Sequence, residues 1–475
     1  MSTVAPRACT LYGMSAVDLR DLDAVVDGLA AAAAAVGCEV RRLGVAEPPP
    51  IGLPAALSRA LERPVGTPPL RELARGRRSA VIITSDATRP VPTCALIGPV
   101  MAELEAAGVS RDAVDVVIGG GAHRPARPEE IERLLGPEWA GRLRVSCHDA
   151  KAADLVDLGR TPAGTPLRVD PRVAEADLRI SFGQVEPHEF AGFTGGRKSI
   201  LPAVAAEASI LANHSIANLS HPRARPGVLD GNPIHEDMLA AMRLAGLDFV
   251  VNVVLAGDLR PLAVAAGDPE AAHATLVAFV RAYAQLGRPQ GPVDVVLTGP
   301  GAPLDINLYQ STKPLVGLQP MIEGMAAEAR SVAGAGTLAG SAAWRPPVVV
   351  LLSSCWDGTG SDEMLVPFDG ASGPADVLKR LRERYTVEMN ESFNIARFLT
   401  VCPRVVACCP GVGDDVLRRL FFTPAPTPRA ALETALVLAT NGSAGGPGPT
   451  AGRDSDVGRR RSVLVFPRAQ RALFG

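Results

Sequence analysis

Six short runs of β-branched and aliphatic residues, each ending in a polar turn rich in Gly or Pro, constrain this chain more than any other feature. They are AVIITSDATRP from Ala80, VDVVIGGGAHRP from Val114, LRISFGQVEPH from Leu178, VDVVLTGPG from Val293, PPVVVLLSSCWDG from Pro346 and RVVACCPG from Arg404. Apolar runs of this length read as strands buried on both faces, and open α/β sheets place ligands beyond the carboxyl ends of such strands. Helical stretches separate them, for example Thr93 to Ala107 and Ala205 to Asn218. The sequence LGRPQGP, residues 286–292, breaks the pattern and marks a boundary. The expected fold class is therefore α/β, built as two α/β domains: residues 1–286, which carry the site residues, and residues 293–440. Residues 441–461, rich in Gly, Ser, Pro and charge, read as a mobile loop or linker, and the VLVF run after them as a strand closing back on either domain.

Composition removes several function classes. A net charge of −2 with a sequence pI near 6.4, and no basic stripe with interleaved aromatics, leaves no footprint for nucleic acid. The start, MSTVAPRACTLYG, lacks a charged segment followed by an apolar one, and the Ala-rich run from Ala30 to Val36 is too short and too weakly apolar to span a bilayer. A cytoplasmic protein acting on a small molecule, with neither membrane nor nucleic acid as partner, is the expectation. Eight scattered Cys with no C-x-x-C argue against both a disulfide framework and a zinc ribbon and read as buried small apolar residues.

The segment GQVEPHEFAGFTGGRK, Gly183 to Lys198, gathers a histidine, two carboxylates and a lysine in one glycine-rich region. The lysine is informative because only Lys151, Lys198, Lys313 and Lys379 stand among 48 Lys plus Arg. A primary amine can deprotonate and attack, whereas a guanidinium cannot. A free Lys amine is neutral in only about one molecule in 2,500 at pH 7, so a neighbour that lowers its pKa, such as Arg197, helps.

His123, after IGGG, and His188, after FGQVEP, both stand at strand ends, where two imidazoles can flank one substrate as acid and base. The competing reading is that each bonds only its own loop. Asp86, Thr88 and Arg89 lie in SDATRPVP: an Arg fork suits a carboxylate or phosphate with Asp orienting it, or the segment is an ordinary surface ion pair. Gln310 and Lys313, in NLYQSTKP, reach the site if the domains enclose a cleft, and otherwise Lys313 is a helix-surface charge. The glycines of TGG, Gly195 and Gly196, can cradle a phosphate. His214, in LANHSIAN, has no second His or Cys near enough for a protein-only zinc site and would need a cofactor to complete a coordination sphere.

In order along the chain, SDATRPVP, GGGAHRP, GQVEPHEFAGFTGGRKSILP, the His214 helix, NLYQSTKP and CWDGTG resemble the nickel-pincer lactate racemase family. The resemblance implies two α/β domains with the active site in the cleft between them. It also implies a nickel-pincer nucleotide, pyridinium-3,5-bisthiocarboxylic acid mononucleotide nickel, made by separate cofactor biosynthesis enzymes. Its implied tether is a thioamide to Lys198, and the implied nickel ligand is His214, sixteen residues on. His123 and His188 become the acid/base pair, Arg89 the carboxylate anchor supported by Asp86, and Gln310 and Lys313 contributors to the substrate site from the second domain. Thr88, Gly195 and Gly196 fall to the cofactor. The implied activity is racemisation or epimerisation of a 2-hydroxy acid by proton-coupled hydride transfer.

The segment SDEMLVPFDG after CWDGTG is polar and acidic where the family pattern is glycine and aromatic rich, so a 2-hydroxy acid other than lactate is expected. The rivals are lactate racemisation proper, a non-catalytic protein that binds the nucleotide or nickel cofactor, and a metallohydrolase. The histidine pair speaks against the binding protein, and the lack of a second close ligand against the hydrolase.

Overall fold

Each of the six apolar runs forms a strand in the computed structural model, which describes Leu19 and residues 21–334, 344–440 and 460–474. Ala80–Ser85 lies between Val114–Gly119 and Leu178–Gln184, all parallel. Arg144–Cys147 and Phe249–Leu255 extend this sheet in parallel, and Pro261–Gly267 closes it antiparallel, giving six strands. A second six-stranded sheet is parallel throughout, in the order Glu39–Arg42, Ser462–Val465, Val295–Thr298, Val348–Leu352, Val405–Cys408, Thr423–Pro424.

Side chains still alternate although both faces are buried. Ala80 and Ile82 pack with the helices Leu53–Glu62 and Thr93–Ala106, while Val81 and Ile83 join a core that also takes in Val296, Val349, Leu351 and Leu464 of the second sheet. That shared core joins the halves. Fully burying a Val or Leu side chain contributes about 1.5–3 kcal/mol, so the strands hold the scaffold rigid and the loops at their carboxyl ends are free to carry polar groups.

The expected domain limits need a correction at both ends. Residues 22–42 belong to the second sheet, not to the first domain: Leu22, Val26, Leu29 and Ala33 of helix Leu22–Ala35 cover its outer face, and Glu39–Arg42 pairs with Ser462–Val465. Arg41 secures that pairing by donating to Ser462 Oγ at 2.6 Å. The VLVF run thus closes on the second sheet, deep between two strands, while Leu473–Phe474 pairs with Gln285–Leu286 beside the expected boundary. The mobile linker expected at 441–461 lies outside the described residues except for its last two.

The single helix expected from Ala205 to Asn218 is instead two, Glu207–Asn213 and Ile216–Leu219. Ser215 caps the second by accepting from the Asn218 backbone N–H, and Asn218 Nδ2 donates back to the Asn213 carbonyl at 2.8 Å, so the chain turns at His214. Cys355, Cys402, Cys408 and Cys409 are buried as expected, but Cys94 is exposed and Cys38 and Cys147 are half-buried. No helix among the described residues is long and apolar enough to cross a membrane.

Candidate active site

A cavity of about 740 Å³ opens where loops from the two sheets face each other, lined from one side by Asp86, Thr88, Arg89, His123, His188, Gly195, Lys198 and His214 and from the other by Gln310 and Lys313. Volumes of this order are those of small-molecule and cofactor sites.

Three adjacent parallel strands deliver the first group. Asp86, Thr88 and Arg89 follow Ala80–Ser85, and Thr88 donates to Asp86 Oδ1 from its hydroxyl at 2.6 Å and its backbone N–H at 3.1 Å. Asp86 Oδ2 meets His123 Nδ1 at 2.7 Å, His123 having followed Val114–Gly119. Burial raises the Asp86 carboxyl, but the neighbouring His123 and the Thr88 hydroxyl more than offset this and hold it at about 2. Asp86 therefore orients His123, while its hydrogen-bonded link to Arg89 runs through Thr88 and the Arg89 charge also helps hold the Asp86 carboxyl down. The Arg89 guanidinium donates to the Thr88 carbonyl at 3.0 Å and hydroxyl at 3.1 Å. Among the described residues no carboxylate forms an ion pair with it, so one face of a cationic fork is left for an anion.

His188 sits in a small hairpin, Pro187–His188 against Gly192–Phe193. Burial, then the charges of Lys198, Lys313 and Arg89, push its pKa well below the ordinary value, so the ring is neutral. The Phe190 ring stands edge-on to both His188, at 4.6 Å, and His214, at 4.8 Å, with Lys198 Nζ 5.8 Å from its centroid. One aromatic side chain thus spaces three polar groups.

Lys198 lies in the turn Gly196–Ser199, which Arg197 holds from beneath. Arg197 is 1 % exposed and donates to the carbonyls of Ala191 at 2.7 Å and Phe193 at 2.8 Å, with His273 Nε2 at 2.9 Å. Burial, followed by the charge of Arg197, lowers the Lys198 amine well below its ordinary value. Gly195 has φ +78, and an added Cβ would stand 2.9 Å from Val185 and 3.0 Å from the Gln184 carbonyl, so only glycine lets the turn reach the cavity here. Gly196 does not line the cavity: it faces the His273 ring, and its N–H donates to Asn252 Oδ1 at 3.3 Å. Its part is to build the turn rather than to touch a ligand.

His214 is buried and neutral, its pKa lowered by burial and then by Lys198, and among the described residues its Nδ1 has no hydrogen-bond partner. A buried lone pair without a partner costs free energy unless something binds it. Gln184 Oε1 and Gln310 Oε1, on residues that line the same cavity, are likewise buried without partners among the described residues. Among the described residues no group of three or more His, Cys, Asp or Glu could hold a metal ion alone. Lone, neutral and unpartnered, His214 fits a metal whose other ligands come from a bound group.

Gln310, in helix Leu308–Ser311, and Lys313, opening helix Lys313–Gly334, come from the second half of the chain. Lys313 is no surface charge; it is 7 % exposed and pairs across the cleft with Glu189 at 3.5 Å. Of the SDEM segment, Ser361 and Asp362 line the cavity, joined by Glu388 and Asn390. Glu363 instead accepts from Thr386 at 2.5 Å, and Met364 is buried in the core. The sequence reading missed Glu189, which contacts both His188 and Lys313, and Tyr309, whose ring stands edge-on to His123 at 6.5 Å. Glu189 was visible beside His188, but nothing in the sequence shows that a residue 124 positions later completes its surroundings.

Residues 44–227 match the family model "Lactate racemase N-terminal domain". The lactate racemase of Thermoanaerobacterium thermosaccharolyticum is 34 % identical over 394 residues, covering 82 % of this chain and 86 % of that protein. The lactate racemase of Lactiplantibacillus plantarum is 39 % identical over 260 residues, 54 % of this chain and 60 % of that one. The structure of the lactate racemase apoprotein from T. thermosaccharolyticum is similar with a TM-score of 0.75 at 29 % identity, over 92 % of this chain and 94 % of the other. A Thermotoga maritima protein of 15 % identity shares the fold, with a TM-score of 0.63 over 90 % and 99 % of the two chains.

Proposed function

The chain belongs to the lactate racemase family, and from that premise we propose that it racemises or epimerises a 2-hydroxy acid by moving the hydroxyl proton and a hydride together. The observation that carries the reading is the convergence on one cavity of two imidazoles, a lysine whose amine is lowered well below its ordinary value, and, among the described residues, an arginine without a carboxylate ion pair and a neutral histidine whose Nδ1 has no hydrogen-bond partner. The test is chiral detection of product from single enantiomers, using protein produced alongside the enzymes that make a nickel-pincer nucleotide.

In this reading Lys198 would tether the nucleotide, His214 would ligate its nickel, and Thr88 and Gly195 would lie against it. The group, when bound, supplies a hydride acceptor. Removing the α-proton instead would place a second negative charge beside the substrate carboxylate, which two imidazoles stabilise poorly. Arg89 grips the carboxylate and fixes Cα. One histidine takes the hydroxyl proton as the carbonyl forms, and Arg89 holds the planar 2-keto acid by its carboxylate so that either face of the carbonyl stays open to reduction. The other histidine does the same work for the opposite enantiomer. Gln310 and Lys313 complete the substrate side from the second half of the chain.

Arg89→Lys is expected to lose most of the activity, on the order of tenfold or more in kcat/KM, because an ammonium cannot reproduce the planar two-point grip on a carboxylate. Full activity in that variant would remove Arg89 as the anchor.

Specificity rests on what surrounds the substrate beyond Cα. Ser361, Asp362, Gln310 and Lys313 make that wall polar, and a polar group left unpaired by a methyl costs about 1–3 kcal/mol. A 2-hydroxy acid with a polar or larger side chain is therefore expected to exceed lactate by tenfold or more. Screening lactate, malate, 2-hydroxyglutarate, phenyllactate and gluconate as single enantiomers decides it. Lactate, the substrate that the relatives are named for, is the alternative, and a highest kcat/KM with lactate would restore it.

A further inference from the structure

Among the described residues, four charged side chains from the second half of the chain line the cavity: Lys313, Asp357, Asp362 and Glu388. Two of them are already neutralised. Lys313 pairs with Glu189 at 3.5 Å, and Asp357 meets Arg127 at 3.2 Å and Arg124 at 3.3 Å. Asp362 and Glu388 form no ion pair among the described residues, and hydroxyls are what reach them: Thr359 donates to Asp362 Oδ1 at 3.3 Å and Ser361 to Glu388 Oε2. Lys151 feels the Glu388 charge but is itself paired with Glu207 at 3.3 Å. Both carboxylates lie on the His123 side of the cleft. The Tyr309 ring stands edge-on to His123, its N–H donates to the Thr359 carbonyl at 3.0 Å, and its hydroxyl donates to Asn390, two residues after Glu388. Gln310 adds an independent sign on the same wall: it is 2 % exposed, and its Oε1 has no hydrogen-bond partner among the described residues.

The unused valences of this wall are therefore acceptors, and the charge among them is negative. We propose that the substrate is a 2-hydroxy acid with a single carboxylate, taken by Arg89, and a further hydroxyl in its side chain that donates to this wall. The proposal rests on the racemase reading for the reaction, and narrows a polar or larger side chain to one that brings hydrogen-bond donors and no second carboxylate. A hydroxyl supplies the hydrogen that an amide oxygen or a carboxylate accepts. A second carboxylate supplies only acceptors and a like charge, and like charges facing each other in a binding site select against that partner. An alkyl side chain is not repelled, but it leaves the acceptors unpaired. Solvent screens the exposed Asp362 more than the half-buried Glu388, so Glu388 carries the larger share of the discrimination.

Three acids of equal chain length separate these effects. 2,4-Dihydroxybutyrate, 2-hydroxybutyrate and malate share a carboxylate and a 2-hydroxyl and differ at C4, which is a hydroxymethyl, a methyl and a carboxylate in turn. In cofactor-loaded protein, kcat/KM is expected to fall in that order, with malate on the order of tenfold or more below 2,4-dihydroxybutyrate. Glu388→Gln is expected to narrow that ratio, and Asp362→Asn to narrow it less. Malate at or above 2,4-dihydroxybutyrate, 2-hydroxybutyrate in first place, or a ratio that neither variant changes would each overturn the proposal. If none of the acids is racemised, the racemase reading falls, and calorimetric titration of the cofactor-free chain with the same three acids judges the wall by itself. Affinities in the expected order then support the proposal, and any other order, or no binding, overturns it.

Discussion

Lys198→Ala is expected to give a folded chain that acquires no stable mass adduct when produced with the cofactor-making enzymes, and whose racemisation falls to background. Lys198 is half-buried at the wall of an open cavity, so truncation removes its amine without hollowing out the core. Two other lysines line the same cavity and must be separated from it. Lys151 pairs with Glu207 at 3.3 Å, and that carboxylate holds its amine above the ordinary value, so it stays protonated and cannot attack. Lys313 is the real competitor, because burial lowers its amine too, although Glu189 lies beside it. Intact mass of Lys198→Ala and Lys313→Ala therefore decides the tether. An adduct that persists in the first and disappears in the second would move the attachment to Lys313. His214→Ala should behave differently, keeping the adduct while losing nickel, since only the protein's ligand to the metal has gone.

Much of the scaffold was legible because its signals are local. A buried parallel strand announces itself in five or six consecutive residues, and the turn that follows carries its own Gly and Pro, so Ala80–Ser85 and the Asp86 to Arg89 turn were read together. Strand Glu39–Arg42 was not, because it is half-exposed, contains three charges in four residues, and owes its place to a partner 423 positions away. The same division runs through the site. The glycine and proline turns brought His123, His188 and Lys198 into view one by one. What each touches depends on contacts across the cleft. Asp86 was assigned to Arg89, its neighbour in sequence, and is bonded to His123 from the next strand. Gly196 was read as part of a phosphate cradle, whereas its backbone fits under His273 from helix Pro269–Ala284. The break at His214 was hidden because LANHSIAN has good helical periodicity, and a Ser cap followed by an Asn returning to the Asn213 carbonyl overrides it.

His123→Ala and His188→Ala are each expected to lower kcat/KM by about 10²- to 10⁴-fold, the usual range for losing a positioned acid or base. The fall must be the same factor in both directions for either variant. Two enantiomers have equal free energy, and no substitution in a catalyst changes an equilibrium constant, so the ratio of forward to reverse kcat/KM is fixed. Steady-state racemisation therefore cannot tell which histidine serves which face. A half-reaction can. If His123 takes the hydroxyl proton of one enantiomer and His188 that of the other, each single variant still oxidises one enantiomer to the 2-keto acid but cannot complete the return to the opposite face. Loaded enzyme mixed with one enantiomer at a time and quenched in acid should release 2-keto acid from opposite enantiomers in the two variants. Because His188 is 5 % exposed, His188→Gln accompanies the Ala change to separate loss of a base from loss of packing. Keto acid from the same enantiomer in both variants, or near wild-type turnover in either, would end the two-face assignment while leaving Arg89 and Lys198 to be judged on their own tests.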